Sequence, residues 1–147
     1  MRGRRAFLLA FVSSAAVAAR LGEAIAAPPP YVIVVHPSNP ATSLPRKFLA
    51  EAFLKKTTRW DHGEVIRPAD QVADSPVRRK FSEEVIKRSV AAVRSYWQQL
   101  IFAGRDVPPP ELPSDEDVIK FVLKYPGAVG YVSGTADVAG AKIVGVE

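Results

Sequence analysis

The sequence predicts an α/β fold in which a small mixed sheet is packed by helices, and three observations lead there. Residues 31–36, Tyr-Val-Ile-Val-Val-His, form an unbroken run, largely β-branched, between prolines, as a buried strand does. Behind it come four stretches whose apolar residues recur every three or four positions, the spacing that gathers them on one helix face. Two short apolar runs, 128–132 and 142–146, close the chain. Helices interleaved with short strands form a layered α/β arrangement, and no internal repeat points elsewhere.

Taken in order, Pro28-Pro29-Pro30 is a stiff extended lead-in to the first strand. Residues 37–42 read as a loop. Ser43 is then expected to cap a helix carrying Leu44, Phe48, Ala52 and Phe53, with Pro45 tolerated in its first turn. Residues 57–63 form a turn-rich connection, and 65–69 a second short strand that Pro68 keeps away from the sheet centre. Asp74 and Ser75 before Pro76 signal a helix with Val77, Phe81 and Val85 on one face. Ser89 opens the next, which runs through Val93, Tyr96, Trp97 and Leu100 to about Gly104. The prolines at 108–110 and 113 read as a rigid linker. Ser114 with Asp115, Glu116 and Asp117 places acid where a helix dipole favours it, ahead of the stripe Val118, Phe121, Val122. Pro126-Gly127 ends that helix, with Gly127 expected in a left-handed conformation and Gly130 expected where another backbone comes close.

The N-terminus has the order of a secretory signal: Arg2, Arg4 and Arg5, an apolar run over 6–19 broken only by Ser13 and Ser14, then small residues with Ala24 and Ala26 in an A-x-A pattern. The run is shorter than the roughly 20 residues a bilayer-spanning helix needs, so no stable membrane anchor is expected. Cleavage after Ala26 leaves residues 27–147 as one domain, periplasmic or secreted. Arg4-Arg5-Ala6-Phe7-Leu8 also matches the core of a twin-arginine signal, so both export routes stay open.

The full chain carries 20 Lys and Arg against 15 Asp and Glu. Residues 1–26 hold Arg2, Arg4, Arg5, Arg20 and Glu23, which leaves 16 basic and 14 acidic residues in the mature part. The basic excess belongs largely to the signal, and a nucleic-acid partner is not expected. The absence of cysteine excludes disulfides, thiolate metal sites, a cysteine nucleophile and a lipid-modified cysteine.

Ser43-Leu44 through Phe53-Leu54, followed by Lys56-Thr57-Thr58-Arg59-Trp60, resembles a stretch of the phosphate-type periplasmic solute-binding proteins. Ser75-Pro76-Val77-Arg78 with Phe81 stands where that family has a Ser-Gly-Thr-Arg helix start, and Tyr96-Trp97 with Phe102 and Gly104 is similar to a middle helix of the same lobe. Its most specific part is Tyr125-Pro126-Gly127-Ala128-Val129-Gly130-Tyr131-Val132. The resemblance covers roughly residues 32–132 and implies a single lobe of a type 2 periplasmic-binding-protein-like fold. Full-length members hold their ligand between two lobes, whereas this chain has length for one.

By that resemblance the ligand-binding residues are Ser75 and Arg78, and the ligand is a small phosphate-like anion taken up through an ABC transporter. Free N–H groups at a helix start and a nearby guanidinium favour an anion. Pro76 has no N–H and Val77 no hydroxyl, so two of the family's donors are absent, and Asp74 beside the site repels a dianion. The alternative is that Ser75 only caps its helix and Arg78 is solvated. Arg78, Arg79, Lys80, Lys87, Arg88 and Arg94 interleave with Glu83 and Glu84 as a solvated face, and Trp60 and Trp97 read as core or lobe-edge aromatics. His36 and His62 lack partners at zinc-binding spacing, and neither Ser43 nor Ser75 lies in a nucleophile elbow. No catalytic residue, cofactor or metal is therefore expected. Two functions follow: a non-enzymatic exported anion-binding domain working with transporter subunits, or an interaction module that has lost solute binding and self-associates or docks another envelope protein.

Overall fold

A computed structural model describes residues 26–147; the expected signal peptide, residues 1–26, lies outside them except for Ala26. The sheet has five strands in the order β2 (Ser43–Leu44), β7 (Lys142–Val146), β1 (Val32–Val35), β6 (Ala128–Val132) and β3 (Arg67–Pro68). The central strand β1 runs antiparallel to both neighbours, pairing Val32 with Val132 and Ile33 with Val144. The edge strands β2 and β3 run parallel to β7 and β6, so the predicted mixed sheet is present. A separate parallel pair joins β4 (Asp70–Gln71) to β5 (Glu111–Leu112).

Side chains alternate across the sheet, which places two apolar layers on its two faces. Ile33 and Val35 with Val129 and Tyr131 face α1 (Arg46–Phe53), α2 (Pro76–Phe81) and α3 (Val90–Phe102), whose Leu49, Phe53, Phe81, Val93 and Trp97 complete one core. Val34, Ala128 and Val132 face α4 (Asp115–Lys124), which supplies Val118, Ile119 and Val122. The ring of Phe81 stacks on Tyr131 at 4.0 Å. At Gly130 a Cβ would come within 2.6 Å of Val118 Cγ1, so the close approach there is made by an α4 side chain and not by the backbone expected from the sequence.

Several expectations from the sequence are corrected. Ser43 does not cap a helix: its backbone is drawn into β2, Gly145 N–H donates to Thr42 O and Glu147 N–H to Leu44 O, and α1 begins after Pro45 with no side-chain cap. Gly127 does not adopt a left-handed backbone; it is required because a Cβ there would sit 2.0 Å from Val65 O. The helix begun at Ser75 changes to π geometry over Ser82–Ile86 and stops at Lys87, whose φ is 63°. Within the proline-rich stretch, Glu111–Leu112 forms a strand, and Pro110 O accepts from Asp70 N–H. The predicted strand over 65–69 is reduced to β3, an edge position suited to Pro68.

Candidate ligand-binding site

The polypeptide leaves β3, passes through β4 and enters α2 within eight residues, so Asp70, Gln71, Ser75 and Arg78 converge beside the C-terminal end of β6. Ser75 is the N-cap of α2: its Oγ accepts from Arg78 N–H at 3.3 Å and donates to Gln71 Oε1 at 2.9 Å. Pro76 occupies the first helical position and adds no donor.

Arg78 points inward. Only 3% of it is exposed, so it belongs neither to the solvated face read from the sequence nor to a basic patch. Its Nη1 donates to Gln71 O at 2.8 Å and meets Glu111 Oε1 at 2.8 Å, and its Nε lies 3.5 Å from Asp70 Oδ1. The β4–β5 pairing is what brings Glu111 to this position. By contrast Arg79, Lys80, Lys87 and Arg94 are exposed.

Around the guanidinium the polar groups close on one another. Tyr131 Oη donates to Asp70 Oδ1, and Gln71 N–H reaches both Asp70 Oδ1 and Tyr131 Oη at 3.0 and 3.1 Å. Gln71 Nε2 donates to Asp115 Oδ1 at 2.8 Å and to Tyr131 O at 3.0 Å, and Ser133 N–H also meets Asp115 Oδ1 at 3.2 Å. Burial pushes the Asp70 carboxyl above its ordinary range, and Arg78 and the Tyr131 hydroxyl only partly offset it. Burial likewise raises Tyr131, reinforced by the charge of Asp70. Burial works against the Arg78 charge, but Asp70 and Glu111 outweigh it and hold the pKa above the usual value.

The structure thus brings Ser75 and Arg78 together and spends their hydrogen-bonding capacity largely on protein partners. Two carboxylates facing one guanidinium leave the cluster acidic, and a dianion placed there meets repulsion. Sequence reasoning missed Asp70, Gln71 and Glu111; polar residues directly after the apolar Pro68-Ala69 were the available signal for the first two. Among the described residues, no group of three or more His, Asp or Glu side chains is placed to hold a metal, and no helix is long and apolar enough to cross a membrane.

No protein-family model and no curated protein matches the sequence. Solved structures match the fold. An ABC-type phosphate transport receptor from Vibrio cholerae superposes with a TM-score of 0.61 at 22% identity, over 79% of this chain and 45% of the receptor. PstS from Borrelia burgdorferi gives 0.61 at 12% identity, over 80% of this chain and 47% of its own. A Clostridium perfringens protein solved with bound phosphate, described as a phosphate ABC transporter substrate-binding protein, gives 0.59 at 20% identity over 79% and 44%. This chain has the fold of part of these phosphate-type binding proteins and spans about half their length.

Proposed function

We propose that this chain is an exported, non-enzymatic lobe of the solute-binding-protein fold that works by docking a second protein surface, another copy of itself included, and does not hold a free anion unaided. The observation that carries this reading is the state of Arg78: a buried guanidinium with Glu111, Asp70 and Gln71 O already around it. To take phosphate, Arg78 would have to leave carboxylates that its own fold supplies, and breaking a buried pair costs about 3–5 kcal/mol. An exposed apolar group at the end of α3 supports docking: Phe102 is 91% exposed and Ile101 and Val107 are also exposed. Export rests on the N-terminal signal pattern, with removal of residues 1–26.

A second reading has its own support. The likeness to phosphate transport receptors, one of them with phosphate bound, favours a phosphate-like anion at Ser75 and Arg78, delivered to an ABC uptake system. A lobe spanning half of such a receptor then needs a second surface to close over the anion.

Two measurements separate the readings. Sedimentation velocity across a concentration series is expected to show association that Phe102→Asp weakens, while calorimetry with phosphate and sulfate shows no binding heat. A monomer at all concentrations that binds phosphate with measurable heat contradicts the docking reading and establishes the second.

A further inference from the structure

Two surfaces of this chain, borne by helices on opposite faces of the sheet, answer each other in polarity and sign. The C-terminal end of α3 presents Ile101 and Phe102 to solvent. Residues 87–105 hold four basic side chains, Lys87, Arg88, Arg94 and Arg105, and no acidic one. Arg94 lines one groove with Gln98 and Ile101, and Arg105 follows Phe102 by three residues. Arg88 is occupied by the Tyr96 ring at 5.4 Å, whereas Arg94 and Arg105 are exposed and form no ion pair among the described residues. The acids nearby are engaged: Asp106 lies 3.7 Å from Lys55 Nζ, and Glu111 2.8 Å from Arg78 Nη1.

The second surface is a cavity of about 530 Å³ on the α4 side of the sheet. Ile119 and Leu123 of α4, with Ala136 from the turn between β6 and β7, give it apolar walls, and Asp115, Glu116, Asp137 and Lys120 stand among them. Lys120 is taken by Glu116 at 3.0 Å, which leaves Asp115 and Asp137 without a cation in ion-pair range among the described residues. Their Oδ1 atoms accept from Gln71 and Ser133 and from Ala139 N–H, bonds that hold the carboxylates in place without neutralising them. The next cations do not reach in: Lys124 lies over the Tyr125 ring at 5.2 Å, and Lys142 Nζ donates to Asn39 O at 2.8 Å.

A symmetric contact centred on Phe102 would set Arg94 and Arg105 of one copy against the same residues of another, and a symmetric contact of two cavities would oppose their carboxylates. Pairing the unlike surfaces removes both conflicts. The Phe102 ring then enters the apolar cavity, and the arginines beside it meet Asp115 and Asp137. An aromatic anchor in a pocket with charges at its edge is how protein interfaces gain most of their affinity. We propose that the chain associates head to tail with itself, Phe102 of one copy seated in the α4 cavity of the next. This rests on the docking function proposed above and names its partner as a second copy. Because the two surfaces differ, every added copy presents one of each, and assembly extends until a ring closes.

The test is sedimentation velocity of two variants of the full chain, apart and mixed. Phe102→Asp removes the inserted ring and keeps the cavity. The double variant Glu116→Lys, Asp137→Lys, at exposed positions, turns three acids against one base into one against three and keeps Phe102. Each alone is expected to associate more than about tenfold more weakly than the unaltered chain. An equimolar mixture is expected to form a dimer and nothing larger, because one ring and one cavity remain intact between the two. A double variant that associates as the unaltered chain does, or a mixture no larger than its components, overturns the head-to-tail contact; the docking function then stands on the loss with Phe102→Asp. An unaltered chain that is monomeric at all concentrations also overturns it, and the docking function falls with it only where calorimetry shows heat with phosphate.

Discussion

The two ends of β6 handle buried polar groups in opposite ways. At the C-terminal end, Asp70, Gln71, Ser75, Arg78, Glu111 and Asp115 bond to one another and to the strand. At the N-terminal end, Asn39 is held by three backbone-directed bonds and keeps one buried donor unused beside an open cavity. The first arrangement fixes structure, because displacing Asp70, Gln71 or Arg78 would leave a charge or dipole stranded in a poorly solvated place. The second leaves one buried donor unpaired, at a desolvation cost of about 1–3 kcal/mol. Residues whose types match a binding motif are therefore not the ones here left with an unpaired hydrogen-bonding group.

Variants can break this contrast, and the largest effect is expected at the closed end. Arg78→Ala strands Asp70 in a buried position and should cost about 3–5 kcal/mol in denaturant unfolding. A loss below about 1 kcal/mol would mean that the cluster is solvated and able to rearrange. At the open end, Gly127→Ala drives a Cβ toward Val65 O and should cost about 1–3 kcal/mol while disturbing the Trp60 indole, whose N–H rests on Gly127 O. Near-ultraviolet circular dichroism reports that disturbance. Ser75→Ala removes the α2 cap and should cost about 1 kcal/mol, with no change in any response to phosphate.

The smallest effect is in pH dependence. Asp70 has its pKa raised by burial, so the folded state takes up this proton before the unfolded chain does. Its contribution to stability is therefore fully present below the unfolded carboxylate pKa and is lost as pH rises through the folded one. Asp70→Asn, which keeps a side-chain oxygen for Tyr131, should flatten that part of the stability profile; an unaltered slope would place the titration elsewhere.

How much of this was legible beforehand depended on the range of the forces involved. The strands β1, β6 and β7 and the helices α3 and α4 declare themselves through continuous apolar patterns, capping serines and acidic first turns, all local signals. β2, β4 and β5 are two residues each and exist only because distant segments pair with them, which is why Ser43 read as a cap and Glu111 as linker. For the site, Ser75 was legible as a helix start. The inward turn of Arg78 was not, since it depends on Glu111, delivered by β5 across the whole length of α3. Asn39 offered no pattern at all: its orphaned amide arises from burial, which composition does not reveal.

Nitrogen-15 NMR of the protein titrated with inorganic phosphate, following the Val77 and Arg78 amides and the Arg78 Nε–H, addresses the docking account at its centre. That account predicts a slowly exchanging Arg78 Nε–H and no saturable shift at these positions in millimolar phosphate. Saturable shifts there, with the Arg78 Nε–H moving in step, would mean that the guanidinium leaves its carboxylates for the anion, and would contradict it.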